Sequence, residues 1–425
     1  MAHVHRVWYL VVLLLAIAPA GIRSLSWRIP KGEAVDPEMA EAGQVLFNHE
    51  WYPGDPLAAG GDGLGPVFNA KSCVACHKQG GPGGGGDLQH NVTLFAISAP
   101  NSGQLVRSGV IHASAISPEF RENLSQADPA ALAHDHASAT AMTMRGGFGQ
   151  AGLTPAHTHV SQRNTPALYG AKLIDDLPER VILAQERLEQ LRSGLANSDD
   201  ERQHVGRASR LPNGRLGRFG WKAQTATLSD FVQAACANEL GLGNPGQAQP
   251  RPLGRPHYQP PGLDLTQEQC DQLTAFCASL PRPLERPSEN AATREYERAG
   301  KKLFNSIGCA DCHTANLGPI DGIYSDLLLH KMGKELVGGG AYNAPPREIP
   351  DMPTVEGAQP GEWRTPPLWG VGDSPPYLHD GRAATLDVAI QKHGGQAEDS
   401  ADRFRKLNPT EQNELIAFLK TLRAP

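Results

Sequence analysis

The pattern Cys-x-x-Cys-His occurs twice, as Cys73, Cys76 and His77 in "KSCVACHKQG" and as Cys309, Cys312 and His313 in "GCADCHT". Two thiols so spaced can hold zinc, a redox disulfide or a covalent porphyrin. A thioredoxin-type pair has no need of the histidine. A zinc ribbon places its second pair roughly 15–20 residues on, not more than 200. C-x-x-C-H is the attachment pattern of c-type haem, in which both thiols add to vinyl groups and the adjacent imidazole binds iron. With 7 Cys and 16 His among 425 residues, two chance copies are negligible. The pattern predicts two covalently bound haem c groups. Of the other cysteines, Cys270 and Cys277 share one face of an expected helix and are too far apart to bond each other. Cys236 can pair with either in an oxidising compartment, or all three are small buried residues.

Haem of this kind is attached outside the cytoplasm, and the N-terminus agrees. The uncharged run from Val7 to Ile22 is shorter than the roughly 20 residues that cross a bilayer. Ala18 and Ala20 flank Pro19 in a small-residue cleavage pattern. We expect a signal peptide over 1–22 and a periplasmic protein with no membrane span after signal cleavage; an uncleaved N-terminal anchor is the alternative. The formal net charge of −6 comes from interspersed acids and bases. No basic stripe suggests nucleic acid.

The haem motifs sit within a wider repeat. "RNTPALYG" (163–170) matches "RTPPLWG" (364–370), and "LDLTQEQCDQLTAFCASL" (263–280) matches "FRKLNPTEQNELIAFLKTL" (404–422). Leu265, Leu273, Phe276 and Leu280 fall on Leu407, Leu415, Phe418 and Leu422, a helical spacing. Each copy also has an expected helix before its haem motif, "MAEAGQVLF" (39–47) and "REYERAGKKLF" (294–304). The expectation is an all-α chain of two tandem cytochrome c-like domains, 35–285 and 290–425, with long loop insertions, largest in the N-terminal domain. "GGPGGGG" (80–86) reads as a mobile loop.

Together with "GRFGWKAQTATL" and "SPPYLHDGRAATLDVAIQKHGG", these features make residues 40–425 resemble the bacterial di-haem oxidoreductases related to di-haem cytochrome c peroxidases and the MauG group. The resemblance implies a peroxidase-like enzyme with one haem per domain and electrons passing from the C-terminal haem to the N-terminal one. His77 and His313 are then the proximal iron ligands. His393, in "QKHGG", falls where peroxidases place an axial methionine, with Met332 as competitor. On the N-terminal distal side stand His157 and His159, with His90, Met142 and Met144 as alternatives. Trp221 matches the tryptophan lying between the haems. Glu239 falls near the catalytic glutamate, although the interval from Leu228 looks short and Phe231 occupies a position usually held by glutamine. Asn164, Ser374 and Pro376 match the positions of an interdomain calcium, which suits oxygen ligands. Implied partners are an exported electron donor (a small cytochrome or cupredoxin), and hydrogen peroxide or a protein side chain as substrate. A homodimer is the commonest assembly. The other reading is a di-haem electron-transfer cytochrome without a substrate site.

Overall fold

The computed structural model describes residues 34–98, 105–127, 157–195, 205–338, 358–359 and 361–425. The expected signal peptide over 1–22, Met142 and Met144 lie outside them. Among the described residues no helix is long and apolar enough to cross a membrane. The longer helices are α1 (Pro37–Asn48), α2 (Glu179–Leu195), α3 (Leu228–Leu240), α4 (Gln267–Ser279), α5 (Ala291–Ser306), α6 (Leu386–Gln391), α7 (Glu398–Lys406) and α8 (Pro409–Leu419).

Two helix pairs organise the chain, α1 against α4 and α5 against α8. Each begins and crosses by the same devices. Thr266 caps α4 reciprocally with Gln269, and Asn408 caps α8 with Glu411, so orphan N–H groups at both helix starts are satisfied. A Cβ on Gly43 in α1 would overlap the carbonyl of Gln272 in α4, and one on Gly300 in α5 that of Glu414 in α8. Only glycine lets the backbones meet there. Just past each crossing, Phe47 packs on Phe276 with ring centroids 4.8 Å apart, and Phe304 on Phe418 at 5.4 Å.

The all-α expectation needs amendment. Val92–Ser98 (β1), Leu105–Ile111 (β2) and His157–Arg163 (β3) form an antiparallel sheet in the order β2-β1-β3, and Leu329–Lys331 (β4) pairs with Glu362–Arg364 (β5). The β1–β3 sheet belongs to the long insertion in the first copy, where Val92 and Leu94 alternate inward with buried side chains. One apolar core centres on Phe47, Trp51, Leu228, Leu273 and Phe276 and takes in Leu317–Leu328 residues and Trp369 from the second copy. The other centres on Phe304, Phe404, Leu415 and Phe418. Residues 35–425 form one compact unit.

Candidate functional site

In the first copy, Ser72 caps a single helical turn, Cys73–Cys76, by accepting from Ala75 N at 3.3 Å. That turn brings Cys73, Cys76 and His77 to one cavity of about 120 Å³, with Phe47, Val92 and Leu94 among its walls. His77 Nδ1 lies 3.1 Å from the carbonyl oxygen of Gly84. A carbonyl only accepts, so Nδ1 carries the proton and Nε2 is left with its lone pair for a ligand. Burial pushes the imidazole down to about 4, partly offset by hydrogen bonds to Gly84 and Pro166. The glycine-rich stretch is therefore packed around His77. Gly83 N donates to His77 O at 3.0 Å and Gly83 O accepts from Leu168 N at 2.7 Å.

Helix α3 ends at the same cavity with Glu239. One oxygen, Oε2, accepts from Asn69 Nδ2 at 2.7 Å, and Oε1 is buried without a partner. Burial drives this carboxyl up to about 7; the Asn69 hydrogen bond and the charge of His112 oppose it. Asn69 is itself locked. Its Oδ1 accepts from Ala113 N at 2.9 Å and its own N–H donates to Glu239 O at 2.7 Å, which fixes the amide so that Nδ2 must face the carboxylate. His112 holds the neighbouring turn, with Nδ1 2.7 Å from Glu122 Oε2 and Nε2 2.9 Å from Asn238 O. Neither Asn69 nor His112 carries a signal in the sequence, because the contacts that tie them to the end of α3, Asn69 with Glu239 and His112 with Asn238, span more than 100 residues. Phe231, where glutamine was the comparison, lines the cavity and stacks on Phe219 at 6.0 Å.

The second copy repeats the arrangement around a larger cavity, about 310 Å³, lined by Cys309, Cys312, His313, Met332 and His393. His313 Nδ1 donates to Tyr324 O at 2.9 Å, again freeing Nε2, and burial holds the ring down to about 4, with His393 adding to the depression. His393 Nδ1 donates to Ala389 O at 2.8 Å, so its Nε2 is free too. Met332 shares the wall. Phe304 leans on His313 at 6.4 Å, as Phe47 does on His77 at 6.1 Å. Buried His330 stands between Asp326 Oδ2 at 2.8 Å and Cys312 Sγ at 3.7 Å. Cys312, Asp326 and His330 each bring a ligand-type atom within 4.8 Å of the others.

Trp221, Asn164, Thr165, Pro166, Gly220 and Phe231 line both cavities, so one wall divides them. Trp221 Nε1 donates to Asn164 O at 2.8 Å, and Asn164 Nδ2 donates to Gly86 O and Asn91 Oδ1, each at 3.0 Å. Ser374 and Pro376 also reach the larger cavity. On β3, His159 lies opposite Ala96 and His157 opposite Ser98. His90 is held by Asp87 at 2.7 Å. Cys236, Cys270 and Cys277 are buried free thiols, and Cys236 and Cys277 face the smaller cavity.

Two cavities, each presenting a pair of thiols and an imidazole whose Nε2 is free, have the donor chemistry of covalently bound haem. Paired helices crossing at glycine beside each one define a helical, cytochrome c-like class. The model of the family described as "Di-haem oxidoreductase, putative peroxidase" matches residues 143–422, and the chain belongs to that family, which implies two haem groups. Among its relatives, the hydrazine synthase subunit gamma of Kuenenia stuttgartiensis is 27% identical over 158 residues, 32% of this chain and 44% of that protein. The cytochrome c551 peroxidase of Nitrosomonas europaea is 29% identical over 161 residues, covering 36% and 44%. The chain thus matches less than half the length of these relatives. A solved structure of hydrazine synthase from Kuenenia stuttgartiensis aligns over 92% of this chain and 89% of that one, with 15% identity and a TM-score of 0.42.

Proposed function

We propose that the protein is an exported di-haem c-type oxidoreductase with peroxidase-like chemistry, organised as an N-terminal haem domain over 35–285 and a C-terminal one over 290–425. The observation that carries this reading is Glu239, a buried carboxyl with one unpartnered oxygen in the same cavity as Cys73, Cys76 and His77. Cys73 and Cys76, and Cys309 and Cys312, form the thioether links, and His77 and His313 bind iron through Nε2. When bound, haem supplies the redox change and a coordination position for a small oxidant.

The chain's own groups do the rest. Glu239 exchanges a proton through Oε1 while Asn69 holds Oε2. A carboxyl poised near 7 can both take and return a proton at neutral pH. On the dividing wall, Trp221 gives an aromatic bridge for electrons passing from the C-terminal site to the N-terminal one, its indole fixed by the Asn164 carbonyl. His393, with its Nε2 free, would hold the iron at the C-terminal site together with His313 and keep that site for electron storage, with Met332 as the competing ligand. His157 and His159 are the candidates for a displaceable histidine on the N-terminal distal side, one that would leave the site open to an oxidant. Asn164, Ser374 and Pro376 form an oxygen-donor calcium site, the Asn164 amide nitrogen being committed to Gly86 and Asn91. A small exported cytochrome or cupredoxin supplies electrons, and hydrogen peroxide or a protein side chain is the substrate. The assembly proposed is a homodimer.

Protein secreted by a host competent in cytochrome maturation tests the reading. It should retain both porphyrins in acidified acetone and oxidise a reduced donor protein when peroxide is added. Trp221→Leu should slow electron passage between the sites and leave haem content intact. Colourless protein, extractable porphyrin or indifference to peroxide would each overturn it.

A further inference from the structure

Two buried arginines line the larger cavity, Arg218 and Arg364. Their surroundings differ. Arg218 Nη1 donates to the carbonyls of Ile174, Asp175 and Leu177 at 3.1, 3.1 and 2.6 Å, and its Nη2 stands 3.9 Å from Glu179. Arg364 donates Nε to Gly220 O at 2.9 Å, while Nη1 is buried with no partner. The nearby acids are already engaged. Asp326 accepts from Leu328 N and pairs with His330, each at 2.8 Å, and Glu362 accepts from Arg207 and from Gln359 N. Among the described residues, then, no carboxylate pairs with Arg364. A guanidinium cannot shed its proton to relieve burial; the charge of Asp326 favours it, yet Nη1 meets no acceptor, and a buried donor on a charged group left unsatisfied is costly. The geometry leaves room for an anionic acceptor at Nη1.

We propose that Arg364 is the seat for a carboxylate of the group bound in the larger cavity. The inference rests on reading that cavity as a haem site, since haem carries two propionates and guanidinium–carboxylate pairing is the favoured geometry. Arg364 N also donates to Trp221 O at 3.0 Å. The seat therefore lies at the wall between the cavities, beside Trp221. Its positive charge would favour the reduced form of a haem bound there.

The test compares Arg364→Leu and Arg364→Lys with the unaltered holoprotein. It reads the midpoint potential of the His313-site haem and the propionate bending band in resonance Raman spectra. Arg364→Leu should lower the reduction equilibrium constant roughly tenfold and move the band. Arg364→Lys keeps the charge but loses the fork, so it should move the band with a smaller change in potential. An unmoved band in both variants overturns the seat, even if the potential falls, because charge alone acts at a distance. If Arg364→Leu does not accumulate as folded protein, Arg364→Lys decides by its band. Absence of haem at the His313 site in the unaltered protein would instead sink the haem reading itself.

Discussion

The two halves share a pentapeptide, a helix pair crossing at glycine and an aromatic rest for the histidine, yet they differ in what faces that histidine. The first cavity presents a carboxyl with an unpartnered oxygen, Glu239. The second presents imidazole and thioether side chains, His393 and Met332. In the proposed function the shared parts serve stability and cofactor attachment, and the unlike parts would decide chemistry: an acid beside an open iron could move protons, whereas a second strong ligand would hold the site for electron storage. The same contrast appears in the walls. The first copy lines its cavity with Val92, Leu94 and Arg163 of the inserted three-stranded sheet, while the second uses His330, Trp363 and Arg364 of the short β4–β5 pair.

The comparison can be broken or sharpened by substitution. Glu239→Gln should lower peroxide turnover by roughly 10²–10⁴-fold with both haems retained, and a loss under threefold would remove Glu239 from the chemistry. Turnover that needs ionised Glu239 should rise with pH through about 7, because burial raises the carboxyl to that value. The sign follows from the charged form being disfavoured. The stability this group contributes is full below its unfolded value of about 4.5 and is lost as pH rises through about 7.

Asn69→Leu removes the hydrogen bond that favours the ionised form, about 1.5–3 kcal/mol for a charged partner. The rising limb of the pH–rate profile should then move up by about one pH unit or more. A limb that stays in place, with only protein stability reduced, would make Asn69 purely structural. Gly43→Ala and Gly300→Ala each force a methyl into a facing carbonyl and should destabilise by about 1–3 kcal/mol in denaturant titrations. Equal losses support equivalent crossings, and a loss at one site alone breaks the equivalence. The smallest effect belongs to the caps. Thr266→Ala and Asn408→Ala should each lose about 1 kcal/mol.

The shared framework was legible in the sequence and the unlike parts much less so. Periodicity placed α4 and α8, and the spacing of Cys73, Cys76 and His77 led directly to the smaller cavity because the three residues share one local motif. Glu239 and Trp221 came through resemblance, and both line the cavities. The β1–β3 sheet was missed. The connection between β1 and β2 carries the turn residues Pro100, Asn101, Ser102 and Gly103, but β3 follows only after a long insertion, and loop composition outweighed alternation. Asn69, His112 and Arg364 escaped as site residues because each matters through a partner distant in sequence: Glu239, Asn238 and Gly220. The glycine-rich stretch read as mobile from composition, yet the Gly84 carbonyl sets the His77 tautomer.

The central claim is that one site is open to an exogenous ligand and the other is closed by His393. Cyanide titration of the holoprotein, followed optically and by electron paramagnetic resonance after one-electron reduction, tests it most directly. The account predicts one cyanide bound per molecule, at the His77 site, and a second only when His393 is replaced by alanine. Two low-spin haems that both ignore cyanide, or two that both bind it in the unaltered protein, would contradict the account.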